Sequence, residues 1–394
     1  MINIGEIRKE IKGGRVRIVS DISMEDKVIP LFFETEEENS KYLCEESGDA
    51  FLLGILLYAM KKHEDIHVEP PVSERLLYGI TQILMPVFPR MSPELRNINI
   101  ISAKTCCKSN NKFGGVVTPM SCGVDSFYTA LLNNKKDIFS SMKLTHLALF
   151  NSGVYGYDVE SSKKEFELYK NRIRPVCQQF GLPLVSLDSN LMEFASFPFI
   201  QIHTFNNTAC ALILQKLIKT FYYSTTYQIR YFALRFDDSA FYDLLNESAL
   251  RTEGFEMISF GGDLSRLEKT EIIAKYVIVE NNLNVCVKTE KEKLNKDKIN
   301  CSICAKCIRT MAALDILGIL SRYNKVFEVN KFNENRALCW GKIRYKSFRT
   351  KRALTTELIK MAKKYKYRIP FSSYFWKFGI GVNNQLKKFK RNNK

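Results

Sequence analysis

A β-branched run, Val116-Val117-Thr118, stops at the small-residue turn Ser121-Cys122-Gly123, and an amphipathic segment opens at Val124-Asp125-Ser126. Phe127, Ala130 and Leu131 fall on one face of that segment, so the pattern predicts a strand, a tight turn and then a helix. From there strand and helix patterns alternate. Strands are expected at 115–119, 144–150, 183–187, 257–260 and 285–287, and helices at 125–134, 160–180, 204–223 and 266–281. In 160–180, Phe166, Tyr169, Ile173, Val176 and Phe180 share one stripe. Such alternation predicts an α/β fold, a Rossmann-like parallel sheet that binds ligands at the carboxyl ends of its strands. The turn at 121–126 sits at one such end. Its Ser, Gly and Ser residues leave backbone N–H groups open and add hydroxyl donors beside the positive end of a helix, an arrangement that suits phosphate groups. The Lys and extra glycines of the G-x-x-x-x-G-K-[ST] loop are missing.

A chain of 394 residues exceeds one average domain. Residues 1–110 are expected to form a smaller α+β unit, 111–325 the main α/β domain and 326–394 a basic, helical, aromatic extension. Arg15–Val19 and Val28–Phe33 read as N-terminal strands, followed by helices around 48–62 and 73–87. The longest apolar stretch, Ala50 to Met60, is too short to cross a bilayer, and the N-terminus has no secretory pattern. Charge is unevenly placed. Residues 340–394 hold 17 Lys or Arg and one acidic residue, Glu357, which accounts for all but one of the chain's formal +17. The high pI therefore describes a tail and not the body of the protein.

Eleven cysteines in a long chain, some clustered at x2 spacing, point to metal binding in a reducing compartment; the cytoplasm is the expected location. Cys301, Cys304 and Cys307 form C-x2-C-x2-C, and Cys286 precedes them at the end of an expected strand. Four thiolates match the tetrahedral, soft-ligand demand of Zn2+; an iron–sulfur cluster is the alternative, since three cysteines at this spacing also suit iron. Lys306 and Arg309 would offset the negative charge of a tetrathiolate site. Between turn and cysteines, Gly261-Gly262-Asp263 leads into a helix with Ser265 and Glu268 spaced as a capping box. That segment reads either as a plain helix start or as a site in which Arg266 or Lys269 reaches anionic oxygens and Asp263 helps hold Mg2+ or substrate.

The Ser121–Ser126 loop resembles the SGG-x-DS loop of the PP-loop ATP pyrophosphatases. With Lys269–Ile272 and the cysteine order ending in Arg309, residues 115–320 resemble the 7-cyano-7-deazaguanine synthase branch of that superfamily. The chain departs from it at Cys122, where the family usually has a second glycine, in a longer Cys286–Cys301 segment, and in its N- and C-terminal extensions. The resemblance implies ATP and Mg2+ bound on a Rossmann-like sheet, with zinc near the site. ATP would be cleaved to AMP and pyrophosphate, activating the carboxylate of a small biosynthetic intermediate for attack by ammonia to give an amide or nitrile. Ser121, Cys122, Gly123, Val124, Asp125 and Ser126 would line the phosphates, with Asp125, Ser126 and Lys269 in catalytic roles. Phe150 and Asn151, after the next strand, would meet adenine or ribose. A thiolation enzyme acting on RNA and a non-catalytic nucleotide-binding module are the alternatives.

Cys122 reads as a small buried residue or as a sulfur-carrying nucleophile, since a helix N-terminus lowers a thiol pKa. His63, His67, His146 and His203 show no ligand spacing. The tail reads as an extra helix over Thr355–Tyr365 packed on the core, as a grip on RNA, or as a contact with an anionic membrane surface. A second copy of the chain is a further candidate partner.

Overall fold

The computed structural model describes residues 1–25, 27–133, 138–288, 293, 297–350, 353–377 and 379–380. Its contacts gather into two units: residues 1–121 with 129–263 form unit 1, and residues 122–128 with 264–394 form unit 2.

Unit 1 is built on one sheet. Alternating apolar side chains make β1 (Ile2–Lys12), β2 (Arg15–Met24) and β3 (Lys27–Glu36) an antiparallel meander with Ile2, Ile4, Val16, Ile18 and Phe33 buried. Short strands follow: β4 (Ile66–Val68), β5 (Val72–Ser73), β6 (Ile100–Ser102) and β7 (Thr105–Cys106). β5 and β7 pair with each other in a separate two-stranded sheet. Then come β8 (Gly115–Pro119), β9 (His146–Phe150), β10 (Leu184–Ser189), β11 (Ile218–Ser224) and β12 (Glu256–Phe260). The ten-stranded order is β12-β11-β8-β9-β10-β3-β2-β1-β4-β6, mostly parallel, as a Rossmann-like α/β fold requires. Only the meander and its seam with β10 are antiparallel. The order turns around between β8 and β11, the position at which open α/β sheets bind ligands, and the chain leaves β8 there toward Ser121.

The N-terminal strands continue this sheet across the boundary expected near residue 110. The seam has two residue pairs, Asp188 with Glu34 and Ser189 with Phe33, and side chains reinforce it. Thr35 Oγ1 donates to Ser186 O at 2.6 Å, and Asn190 bridges Phe32 N and Pro30 O at 2.8 Å each. Burial would raise the Glu34 carboxyl, but Lys163 and Arg15 outweigh it and hold it below the usual range. The apolar Ala50–Met60 stretch lies in a core helix, Asp49–Lys62, which packs against the helix Phe199–Ile213. Gly79 permits a second close approach: a Cβ there would lie 1.9 Å from the Ala249 carbonyl oxygen.

Three sequence expectations are corrected. Residues 204–223 are not one helix; the helix ends at Ile213 and Ile218–Ser224 is the strand β11. Its β-branched and aromatic residues, Ile218, Thr220, Phe221, Tyr222 and Tyr223, suit a sheet buried on both faces, where apolar runs lose their alternation. The segment 266–281 is two helices, Arg266–Ile273 and Val277–Asn282. Residues 285–287 form no strand; Cys286 sits in irregular chain held by side-chain hydrogen bonds. The long helix Val159–Phe180 forms where expected, with Phe166, Ile173 and Val176 buried.

Unit 2 has its own helical core. The helices Ala305–Ile316, Arg336–Thr350 and Ala353–Lys364 pack together around Met311, Leu314, Trp340 and Leu358. Asp315 anchors this group by accepting from Arg336 at 2.9 Å and from the Tyr367 hydroxyl. No helix among the described residues is long and apolar enough to cross a membrane.

Candidate functional site

Within unit 2 the small-residue turn takes a conformation that explains its composition. Cys122 has φ 57°, in the left-handed region that favours glycine, and its carbonyl accepts from Asn284 N at 2.8 Å. The helix Val124–Asn133 begins directly afterwards: Phe127 N donates to Gly123 O at 3.0 Å and the Ser126 hydroxyl to the same carbonyl at 3.2 Å. Phe127 and Tyr128 are buried below the turn, which fixes where the helix starts. The turn therefore presents a helix N-terminus, the partial positive charge that attracts anions.

A second helix N-terminus supplies cations. Ser265 and Glu268 form the expected capping box on Arg266–Ile273, with both reciprocal bonds made. That box sets the first turn, so Arg266 and Lys269 project from positions three apart onto the same group. Arg266 makes a two-pronged ion pair with Asp125, and Lys269 Nζ lies 3.7 Å from Asp125 Oδ1. Lys269 is fully buried, its ammonium 5.5 Å from the Tyr128 ring centroid, while Asp125 keeps 15% of its side chain exposed. Lys306 belongs to the same group. Crowding and the Arg266 guanidinium push its ammonium below the usual lysine range against the pull of Asp125, although its side chain stays exposed. Two cations, Arg266 and Lys269, thus converge on one carboxylate beside a helix N-terminus, with Lys306 near enough to feel its charge.

The four cysteines come together as their spacing implies. Their sulfurs all lie within 4.8 Å of one another, with Cys301 to Cys307 at 3.9 Å and Cys304 to Cys307 at 3.3 Å. A tetrahedral zinc with Zn–S bonds of about 2.3 Å sets its sulfurs about 3.8 Å apart, so the donor set fits. The local chain is shaped for thiolates. Ser302 takes a left-handed bend at φ 59°, Cys304 N donates to Cys301 Sγ at 3.4 Å, and Cys307 N to Cys304 Sγ at 3.5 Å. Cys304 caps the helix Ala305–Ile316. Hydrogen bonds with Cys286 and Cys307 lower the Cys304 thiol, while the bond with Cys304 raises Cys286 and the bonds with Cys286 and Cys304 raise Cys307. A dication removes that conflict by taking the place of the remaining protons.

Asn300 is the residue that spacing did not single out. Fully buried, it accepts from Val285 N and Cys286 N at 2.8 and 3.1 Å and donates to Leu283 O and Val326 O at 2.7 and 3.1 Å. It thereby pins the distant Cys286 beside the C-x2-C-x2-C turn. Its place directly before Cys301 was the one available signal.

The remaining expected site residues belong to unit 1. Ser121 is exposed at the end of β8. Phe150 is buried with its ring 6.2 Å from that of Phe221. Asn151 is also buried, its amide donating to Asp188 Oδ1 at 2.7 Å and Ser162 Oγ at 3.3 Å. Asp263 has an exposed side chain, and its carbonyl accepts from Gln228 at 2.9 Å. Unit 1 also holds a polar cluster that no spacing revealed. His203 meets the Tyr223 hydroxyl at 2.5 Å and Asp238 Oδ1 at 3.3 Å, and Thr204 Oγ1 donates to the buried Asp243 at 2.8 Å. No family model, curated protein or solved structure matches the chain.

Proposed function

We propose that this protein is an ATP-dependent adenylating enzyme that cleaves ATP to AMP and pyrophosphate to activate a small carboxylated substrate. The observation that carries the reading is the convergence of Arg266 and Lys269 on Asp125 at the helix N-terminus that follows the Cys122–Gly123 bend. A carboxylate is a poor electrophile, and joining one of its oxygens to AMP gives the acyl carbon a good leaving group. In the first step a substrate carboxylate oxygen attacks the α-phosphorus, the bond to the β-phosphate breaks, and pyrophosphate leaves. Charge then builds on the departing phosphates. Donors that the fold holds at that place lower the barrier by stabilising this charge as it develops.

The residues divide that work. The N–H groups opening Val124–Asn133 and the cations Arg266 and Lys269 would receive phosphate oxygens. Asp125 would hold those cations in register before nucleotide arrives and would then be available to hold the Mg2+ that offsets the charge of the triphosphate. In the second step ammonia attacks the acyl carbon and AMP leaves, giving an amide. Cys286, Cys301, Cys304 and Cys307 would hold a structural zinc that fixes the start of the helix carrying Lys306. Cys122 is only 3% exposed, which favours nitrogen over sulfur transfer, since a sulfur-carrying thiol must meet its substrate.

Pyrophosphate release from ATP, measured across a panel of carboxylic acids with and without ammonia, tests this reading. Asp125→Ala should lower turnover by about 10²- to 10³-fold while the circular dichroism spectrum is unchanged. Unchanged turnover removes the loop from the reaction. Binding of ATP with no pyrophosphate from any acid supports a nucleotide-sensing module instead.

A further inference from the structure

We propose that the C-terminal helices of unit 2 form a basic, aromatic face that docks on an anionic membrane surface. Six large rings lie on the described part of this region with much of their area in water: Phe348 is 69% exposed, Tyr365 37%, Phe371 76%, Tyr374 43%, Phe375 69% and Trp376 49%. An exposed apolar cluster of this kind marks a surface made to be covered. The rings are fixed in place. Gly341 of the helix Arg336–Thr350 lets the segment at 371–377 approach so closely that a Cβ at 341 would lie 2.5 Å from Trp376 Cβ and 3.2 Å from Ser373 O. Ser373 is fully buried at that contact.

Charge identifies the occupant. Residues 340–377 carry 12 Lys or Arg against the single acid Glu357. Two of those cations lie directly on exposed rings: the Arg344 guanidinium is 3.8 Å from the Tyr374 centroid and Lys377 Nζ is 4.1 Å from that of Phe348. Two further rings pack into the same group, with Phe371 5.8 Å from Tyr374 and 6.0 Å edge-on to Phe375. Single-stranded nucleic acid binds by stacking bases on open ring faces. Here a cation covers one face of Tyr374 and of Phe348, and the phenylalanines form a compact knob. Aromatic rings beside snorkelling lysines and arginines are the pattern of an interfacial contact, in which rings enter the headgroup region and cations meet lipid phosphates. Two weak signals together hold a protein at such a surface where one would not.

Sedimentation of the full chain with sucrose-loaded vesicles tests the proposal, using phosphatidylcholine alone or with about one third phosphatidylglycerol. Affinity should be at least about tenfold higher for the anionic vesicles and should fall with added salt. The double variant Phe371→Ser/Phe375→Ser changes only exposed rings, so it should melt as the wild type does while losing about tenfold in vesicle affinity. The proposal is overturned if the two vesicle types bind alike, if the variant partitions as the wild type does, or if single-stranded RNA binds tightly and the same two substitutions abolish that binding instead. None of these outcomes depends on turnover of ATP.

Discussion

In unit 1, Phe33, Phe51, Leu187, Phe221 and Met257 belong to a single apolar core along a ten-stranded sheet. In unit 2, Cys286 and the turn Cys301–Cys307 are gathered instead around four sulfurs and one buried amide, Asn300. The difference teaches where each part draws its stability. Burial of apolar area holds the sheet whatever ions are present, and it is spread over so many residues that no single one decides the outcome. Four converging thiols do the reverse: with no cation they repel as they ionise, and with one they close the chain on itself. Asp125, Arg266 and Lys269 belong to the same unit as the four cysteines, so the chemistry proposed for this protein sits in the part whose stability a bound metal would govern.

The largest effect that sharpens this contrast comes from Cys304→Ser. Bound zinc should fall from one per chain toward none, at a cost on the order of 5 kcal/mol or more to the 285–320 region. Hydrogen exchange should show protection lost there and kept along β8 to β12. If the variant keeps wild-type protection throughout, the metal is not structural and the contrast fails. Metal analysis of the wild type also separates zinc from iron and sulfide.

Acid should push the two units in opposite directions. Burial raises the Asp243 carboxyl from 3.8 to about 6, despite His203 and Thr204. A folded pKa above the unfolded one means that this group stabilises most below about pH 4, and that the contribution is lost as pH rises through about 6. The difference is worth about 3 kcal/mol. Burial moves Asp49 and Asp188 in the same direction. Glu34, Glu36 and Asp238 are held low and oppose them only as pH falls through their own lower range. In denaturant unfolding of unit 1 at pH 5 and pH 7.5, Asp243→Asn should therefore lose less stability with rising pH than the wild type; an identical pH dependence would remove Asp243 as its source. Over the same acid range a metal held by the four cysteines of unit 2 should be released as the thiolates take up protons.

The smallest effect is expected at Cys122. Cys122→Ala keeps a small side chain at the left-handed bend and removes one buried sulfur, so stability should fall by about 1 kcal/mol and pyrophosphate release should persist. Complete loss of turnover in that variant would make the thiol a participant and favour sulfur transfer.

The sequence revealed whatever was encoded at short spacing. The bend at Cys122–Gly123, the Ser265–Glu268 capping box and the C-x2-C-x2-C turn each depend on residues within one or two turns of chain, and their local geometry is as expected. Pairing over long distances was not legible. Nothing near Glu34 announces that it lies opposite Asp188, because that seam is two residue pairs reinforced by side chains. β11 read as the end of a helix because a fully buried strand loses the alternation that identifies it. The expected sugar and base contacts failed to announce their surroundings for a similar reason: Phe150 and Asn151 follow a strand as any ligand-facing residue would, yet the ring and the amide have partners inside unit 1. Asn300 is the opposite case, a polar residue beside a recognised motif whose role is visible only through the four backbone groups it joins.

The central claim is that Asp125, Arg266 and Lys269 surround the place where the phosphates of ATP are held. A crystal structure with a non-hydrolysable ATP analogue and Mg2+ tests it most directly. The account predicts phosphate oxygens on the N–H groups that open Val124–Asn133, with Arg266 and Lys269 turned from Asp125 toward them. A nucleotide bound elsewhere, with the Asp125 to Arg266 pair intact, would contradict it.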